Sequence, residues 1–147
     1  LQRVQRFVFP RFDGLMTLTS AQADAIGGGH PVRGRLFHLG HYTDEAFFHP
    51  RHSTGEDYVL SVGDDVSRDY PTLMAAVRGM FRPERLDDRT FRGVYTGAKV
   101  VVVPLRPITT AGGINGLFEA MAMGKAVVVS ESSLTRDFVT HGETGLV

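Results

Sequence analysis

The chain has 147 residues, of which 42% are hydrophobic, enough for one hydrophobic core and too few for two complete domains. Sixteen basic and sixteen acidic side chains give a formal net charge of zero, which argues against a dedicated nucleic-acid or membrane-surface protein. No apolar run approaches the ~20 residues of a membrane-spanning helix, and residues 1–12 lack the apolar core of a signal peptide. The absence of cysteine excludes disulfides and thiolate metal sites. We therefore expect a soluble, cytoplasmic α/β protein. The missing initiator methionine and the apolar carboxyl end are typical of a piece of a longer chain.

The first region, residues 1–57, has few elements. Two strands are predicted at 15–19 and 35–39, with a helix at 20–26 and a run of three glycines between them. Ser20 is the predicted N-cap of that helix, because its hydroxyl can accept a hydrogen bond from an N–H group of the first turn. The polar and aromatic stretch 40–57 is broken by proline and glycine, which predicts a connector.

From residue 58 onward strands and helices alternate. The predicted strands are 58–62, 100–103 and 126–130, and the predicted helices are 71–80, 114–123 and a short one at 134–139. Residues 81–96 are charged and are predicted to be irregular, and 141–145 is a predicted turn. The four consecutive valines at 100–103 are typical of a strand buried on both faces. This alternation predicts a parallel, doubly wound α/β sheet.

The segment 101–130 carries the most chemical information, because a buried strand is followed by a glycine loop and then a helix. In open α/β sheets, ligands bind beyond the carboxyl ends of the strands. Gly112 and Gly113 allow close approach of the backbone to an anion, and the first N–H groups of the helix can hold it.

Glu119 is the single charged residue between Arg106 and Lys125. Asn115 precedes it by four residues, which places the two side chains on one face of the predicted helix. A carboxylate there can accept two hydrogen bonds from a vicinal diol such as ribose. An exposed helix glutamate, or one paired with an arginine, is the alternative interpretation.

The run GGINGLFEAMAMGKAVVVS, followed by HGETGLV, resembles the carboxyl-terminal nucleotide-sugar domain of a GT-B glycosyltransferase of the family 4 kind. MTLTSAQADAI resembles the last strand–helix piece of that family's amino-terminal domain, and LFHLGHYTDEAFFHP resembles its interdomain crossover. YVLSVGDDVSRDYPTLMAAV resembles the first strand and helix of the carboxyl-terminal domain. The resemblance covers nearly the whole chain except 81–96. It implies a remnant of the amino-terminal domain plus crossover at 1–57 and a partial nucleotide-sugar-binding domain at 58–147.

The resemblance also implies roles for individual residues. Glu119 matches the second glutamate of the family's two-glutamate motif, which holds the ribose. The first glutamate, which should contact the donor sugar, is replaced by Ala111. The loop whose N–H groups face the diphosphate corresponds to Gly112, Gly113, Ile114 and Asn115.

A second part of the phosphate site is implied after the first strand of this domain. The family has a glycine there, followed by basic residues that neutralise phosphate. This chain has Gly63, then Asp64 and Asp65, and Arg68 at the later basic position. The alternative for Arg68 is a surface arginine paired with Asp69 or Asp65.

The family normally has two more strand–helix units between residues 80 and 100, where this chain has too few residues for them. Their removal from a sheet of order 3-2-1-4-5-6 leaves 1-4-5-6 contiguous. The predicted neighbours are then 58–62, 100–103, 126–130 and 146–147. The fold predicted is a partial doubly wound sheet, the Rossmann-like half of a GT-B fold.

The function implied is that of a fragment of a retaining glycosyltransferase, which moves a sugar from a nucleotide diphosphate sugar to an unidentified acceptor hydroxyl. By itself this chain is expected to be inactive. The alternatives are a non-catalytic nucleotide-binding or interaction module and a sugar-nucleotide epimerase. No cofactor is implied, no nucleic acid is an expected partner, and the catalytic residues stay unassigned. The six histidines predict no metal site, because no Asp or Glu arrangement completes a ligand shell around the closely spaced pair His38 and His41.

Overall fold

The structure is a computed structural model that describes residues 2–29, 35–52, 58–63, 66–77, 88–107 and 112–147. Its residues form two compact units. The first comprises Leu1–His41, and the second comprises Tyr42–Ile108 and Gly112–Val147. The boundary between residues 57 and 58, which separates the predicted amino-terminal remnant and crossover from the predicted nucleotide-sugar-binding domain, stays a prediction.

The first unit is a small α/β layer. Its elements are helix α1 at Gln2–Val8, a 3₁₀ turn at Phe9–Arg11, strand β1 at Gly14–Thr17, helix α2 at Ser20–Gly27 and strand β2 at Arg35–His38. The strands pair in parallel, with Gly14 opposite Arg35 and Thr17 opposite His38. Both strands and α2 were predicted within two residues of their observed ends.

The predicted N-cap of α2 is wrong by one residue. Thr19 has the extended backbone of an N-cap, and its hydroxyl accepts the N–H of Gln22 at 3.2 Å. Ser20 is the first residue of the helix itself. Thr19 is fully buried, so this hydrogen bond replaces one with water that the helix end cannot make.

The second unit carries the larger sheet. Its strands are β3 at Tyr58–Leu60, β4 at Ala98–Val103 and β5 at Ala126–Val129, and its helices are α3 at Tyr70–Val77, α4 at Asp88–Gly97 and α5 at Asn115–Ala122. A 3₁₀ turn at Thr135–Asp137 replaces the predicted helix at 134–139. Residues 78–80 of the predicted first helix lie outside the described residues.

The strands lie in the order β3-β4-β5, and both pairs are parallel. Leu146 adds a parallel bridge on the outer side of β5 opposite Val128, with its N–H 2.9 Å from the carbonyl oxygen of Val127. The predicted contiguous order of four segments is therefore confirmed, as is the α/β fold class.

Burial of the valine strands alternates along the chain. Val101 and Val103 are buried at 0% and 1% exposure, whereas Val100 and Val102 keep intermediate exposure. Successive side chains of a strand point to opposite faces, so one face of β4 is fully covered and the other partly. The expectation that β4 is buried on both faces is therefore fully met on the face of Val101 and Val103 and partly met on the face of Val100 and Val102.

The prediction of an irregular segment at 81–96 is wrong for its second half, which forms α4. Phe91, Val94 and Tyr95 have the i, i+3, i+4 spacing of an apolar helical face, a signal that the surrounding charged residues obscure. Two contacts fix the carboxyl end of α4. The Lys125 amino group donates to the carbonyl oxygen of Thr96 at 2.7 Å, and the Tyr58 hydroxyl donates to that of Val94 at 2.5 Å.

Most of the described part of the connector predicted at 40–57 belongs to the second unit. The ring of Phe48 meets the rings of Phe47 and Tyr95 edge to face, at centroid distances of 4.9 and 6.1 Å. The Arg92 guanidinium lies 4.6 Å from the centroid of the Phe47 ring. The two phenylalanines therefore act as packing residues.

A glycine follows the carboxyl end of α5. Gly124 has a φ of +66°, a conformation that L side chains rarely adopt, and its N–H donates to the carbonyl oxygen of Met121 at 2.9 Å. None of the helices in the described part of the chain is long and apolar enough to cross a membrane.

Val101→Ala should lower the free energy of unfolding by about 2–3 kcal/mol, because it removes buried methyl groups and leaves a cavity in the centre of the sheet. Val59→Ala on β3, where the side chain is 47% exposed, is the matched control and should cost less than about 1 kcal/mol. Urea unfolding measures both. Equal losses for the two variants would contradict the position of the core.

Candidate functional site

The carboxyl ends of β3 and β4 lie side by side, because the two strands are parallel neighbours. Gly63 follows β3, and Gly112 and Gly113 stand between β4 and α5. This edge of an open α/β sheet is where ligands bind in such folds. Two of the predicted site segments therefore meet at one edge.

Backbone hydrogen bonds join the segment after β3 to the segment after β4. The N–H of Asp69 donates to the carbonyl oxygen of Pro104 at 3.0 Å, and the N–H of Arg106 donates to that of Ser67 at 2.8 Å. The Arg106 side chain adds a bond from Nε to the carbonyl oxygen of Arg68 at 3.1 Å. These hydrogen bonds fix the backbone around Arg68 against the residues that follow β4.

The guanidinium of Arg68 occupies a space left by glycines. A β-carbon placed on Gly63 would lie 2.5 Å from Nε, one on Gly116 would lie 3.3 Å from a terminal nitrogen, and one on Gly113 would lie 3.5 Å from Cζ. Arg68 is only 5% exposed. Any side chain at Gly63 would displace the guanidinium of Arg68. The glycines therefore leave the space in which this buried cation lies at the edge of the sheet.

Two of these glycines also adopt backbones that favour glycine. Gly63 has a φ of +120°, and Gly113 has a φ of +79°. A β-carbon on Gly113 would lie 2.6 Å from the hydroxyl oxygen of Ser67 and 2.8 Å from Cδ2 of Leu105. The carbonyl oxygen of Gly63 accepts the hydroxyl of Tyr70. Both loops are therefore closely packed against their neighbours.

Glu119 lies in the second turn of α5 and is half-buried. Its Oε2 accepts a hydrogen bond of 2.8 Å from the hydroxyl of Tyr95 on α4. The same hydroxyl lies 3.4 Å from the carbonyl oxygen of Gly116. Tyr95 itself is 0% exposed, so α4 delivers a buried donor to the carboxylate.

The electrostatics of this cluster follow from burial. Desolvation raises the pKa of Glu119, while the hydrogen bond from Tyr95 and the positive charge of Arg68 act in the opposite direction. Burial also raises the pKa of Tyr95, and the carboxylate of Glu119 raises it further, so the phenol stays a hydrogen-bond donor. Arg68 and Glu119 therefore interact as opposite charges within one poorly solvated cluster.

The structure brings four of the predicted site residues together: Gly63, Arg68, Gly113 and Glu119. Gly112 lies next to them at intermediate exposure. The side chain of Ile114 is fully buried in the core, and Asn115 is exposed at the start of α5. The role predicted for both residues concerns their backbone N–H groups and stays a prediction. Asp64, Asp65 and Ala111 lie outside the described residues.

The alternative that Arg68 is a surface arginine is wrong, since its side chain is buried. Asp69, offered as its partner, caps α3 instead. Its carboxylate accepts the hydroxyl of Thr72 at 2.7 Å and the N–H of the same residue at 3.4 Å. These hydrogen bonds lower the pKa of Asp69, that from the hydroxyl most strongly.

Sequence reasoning missed Tyr95 and Gly116. Recognising α4 from its apolar spacing would have placed Tyr95 on a buried face, but nothing local indicates that its hydroxyl reaches Glu119. Gly116 is the second residue of α5, where a glycine is unfavourable for helix stability. Its position makes room for Arg68 and the Tyr95 hydroxyl, which lies 3.4 Å from the position of its missing β-carbon.

Two of the histidines have local structural contacts. Nδ1 of His141 accepts the N–H of Val147 at 3.0 Å within the predicted turn, and Nδ1 of His49 lies 3.0 Å from the carbonyl oxygen of Ala46. His30 lies outside the described residues. Within the ranges that the structure describes, no group of three or more histidine, aspartate or glutamate side chains could hold a metal ion.

Glu119→Gln should change how stability depends on pH. Because folding raises the pKa of Glu119, the folded chain keeps this proton at pH values where the unfolded chain has lost it. The wild type therefore loses stability as the pH rises from the ordinary glutamate range through the raised value. The glutamine variant lacks this loss. Urea unfolding between about pH 4 and pH 8 measures the difference.

Glu131→Gln is the matched control, because Glu131 is a highly exposed glutamate paired with Arg136 at 2.9 Å. Its stability profile should run parallel to that of the wild type. A parallel profile for Glu119→Gln as well would show that this carboxyl does not titrate with a raised pKa.

The family model for glycosyl transferases group 1 matches residues 53–147, a segment that contains the β3-β4-β5 sheet and the Arg68–Glu119–Tyr95 cluster. No curated protein sequence matches the chain. The matched segment spans more than half of the chain, and its parallel α/β sheet agrees with the match. The chain therefore belongs to the group 1 glycosyl transferases.

Proposed function

We propose that the chain is part of a retaining glycosyltransferase of the GT-B fold and that its second unit binds the nucleotide diphosphate of the donor sugar. The family match supports glycosyl transfer in general. The observation that carries the finer proposal is the position of Arg68, a buried cation held among glycines at the carboxyl ends of two adjacent parallel strands.

In this proposal the diphosphate binds between the Arg68 guanidinium and the amino end of α5. A guanidinium is a good partner for phosphate, because its donors form a fixed planar fork. The N–H groups at the start of α5 and the glycine loop before it supply further donors. Burial of Arg68 strengthens its field there, since solvent screens a buried charge poorly.

Glu119 binds the ribose in this proposal. It lies in the second turn of α5, whereas the N–H groups assigned to the phosphates lie at the start of this helix. The positive charge of Arg68 offsets the negative charge of Glu119. A carboxylate can accept hydrogen bonds from both hydroxyls of a vicinal diol. The pair of charges therefore matches the two polar parts of a nucleoside diphosphate.

The chemical role follows from charge. When a sugar leaves a nucleotide diphosphate, negative charge develops on the departing phosphate oxygen. Cations and N–H groups already aimed at that position stabilise the transition state electrostatically. The acceptor hydroxyl and the catalytic residues are not assigned by these contacts.

A non-catalytic nucleotide-binding module is the second candidate, and Ala111 favours it. A methyl group stands where the resemblance places the glutamate for the donor sugar. Transfer of labelled sugar from UDP- or GDP-sugars separates the two when it is measured on the chain joined to an acceptor-binding amino-terminal domain. By itself the chain is expected to be inactive under both candidates, and a non-catalytic module stays without transfer in the joined protein as well.

Glu119→Gln should weaken the binding of UDP or GDP about ten- to a hundredfold, the effect of losing hydrogen bonds to a charged acceptor. Isothermal titration calorimetry measures it. Glu131→Gln, an exposed glutamate in an ion pair with Arg136, should bind like the wild type. Equal affinities for wild type and Glu119→Gln would reject the ribose role.

Arg68→Gln should weaken UDP binding by a similar factor of about ten to a hundred, while uridine, which lacks the phosphates, should bind with nearly unchanged affinity. Arg136→Gln is the control, because that arginine is highly exposed and pairs with Glu131. A loss of equal size for UDP and uridine would assign Arg68 to the support of Glu119 rather than to the diphosphate.

A further inference from the structure

The hydrogen bond between Tyr95 and Glu119 joins two helices of the second unit. Tyr95 is fully buried on α4 and Glu119 is half-buried on α5, with 2.8 Å between the hydroxyl oxygen and Oε2. A residue with no exposed surface cannot contact a ligand in this structure. Any effect of Tyr95 on binding must therefore act through Glu119.

From this geometry we propose that Tyr95 is a positioning residue for ligand recognition: it fixes the carboxylate of Glu119 so that Oε1 is directed to a hydroxyl pair of the bound nucleotide. The inference rests on the proposed function, because it assumes that Glu119 contacts the ribose.

The tyrosine is itself held firmly. Its ring packs edge to face on Phe48 with centroids 6.1 Å apart, and the helix that carries it is fixed by Lys125 and Tyr58 through hydrogen bonds to its last turn. A donor on a rigid support restricts the rotamers of its acceptor. The carboxylate of Glu119 therefore has one orientation before a ligand arrives.

The two oxygens of Glu119 have different roles in this arrangement. Oε2 is engaged by Tyr95. Among the residues that the structure describes, no hydrogen-bond donor is assigned to Oε1. An acceptor whose orientation is set in advance loses less conformational entropy on binding than a freely rotating one. The proposed effect is thus on affinity for hydroxyl-bearing ligands.

The charged and titratable groups that face this carboxylate come from three segments. Arg68 contributes a positive charge from the loop after β3, Tyr95 contributes its hydroxyl from α4, and Tyr70 on α3 interacts with Tyr95. Removing the Tyr95 hydroxyl takes away a hydrogen bond that holds the pKa of Glu119 down. The pH at which Glu119 gains its proton should then rise.

Tyr95→Phe tests the proposal in the full chain, because it removes the hydroxyl and keeps the ring on Phe48. The probes are UDP and its 2′,3′-dideoxy form, titrated calorimetrically over a range of pH. The wild type should bind UDP more tightly than the dideoxy form. In the variant, the ratio of the two affinities should be about three- to tenfold smaller. The pH midpoint of UDP binding should move upward in the variant.

Tyr42→Phe is the matched control. It removes a hydroxyl from a tyrosine that is 81% exposed and lies outside α4 and α5. It should keep the preference and the pH midpoint of the wild type. A structural role for Tyr95 alone would lower the affinities for UDP and the dideoxy form equally.

Two outcomes overturn the inference, and they differ. If the wild type prefers UDP, Glu119→Gln abolishes the preference and Tyr95→Phe retains it with an unchanged pH midpoint, Tyr95 does not position Glu119. If the wild type and Glu119→Gln both lack the preference, the ribose role fails and the inference fails with it.

Discussion

The buried guanidinium of Arg68 is the constraint on which the candidate site depends. Removing a cation from water costs several kcal/mol unless other groups compensate. Here the loops at the ends of β3 and β4 make room for it with glycines, and α5 places the carboxylate of Glu119 where it interacts with the positive charge. Glu119 is in turn hydrogen bonded by Tyr95. Backbone bonds between the loops keep Arg68 in place, so the loops, the two helices and the cluster depend on one another.

The arrangement of the sheet explains how so short a segment assembles this cluster. β3 and β4 are direct neighbours, so the residues that follow them are brought to one edge although about forty positions separate them in sequence. α4 leads directly into β4, which places Tyr95 three residues before the strand begins. α5 connects β4 to β5 and carries Glu119 back over the sheet. Tyr95 and Glu119 are therefore carried by the helices that precede and follow the central strand, and the segment of Arg68 is hydrogen bonded to the residues that follow that strand.

Much of the fold could be predicted because its signals are local. The valine runs predicted β4 and β5, and the order of the four strand segments followed from the resemblance. The site was predicted less completely, for a physical reason. Arg68 is buried by contacts with residues far away in sequence, and Tyr95 reaches Glu119 across 24 positions of the chain. Hydropathy patterns carry no information on such pairings. The N-cap at Thr19 was missed because Thr19 and its neighbour Ser20 are both good caps by composition.

Under the proposed function, Ala111 separates recognition of the donor sugar from binding of its nucleotide. A methyl group accepts no hydrogen bond from a sugar hydroxyl, so the donor sugar cannot be recognised through this position. The nucleotide contacts proposed for Arg68 and Glu119 use other residues, on α5 and on the loop after β3. Contributions from groups that share no partners are close to additive. In the proposed function, loss of the sugar contact would therefore leave the free energy of nucleotide binding largely intact. Affinity for a nucleoside diphosphate is consequently the property that reports on the Arg68–Glu119–Tyr95 cluster, whereas transfer depends in addition on how the sugar and its acceptor are held.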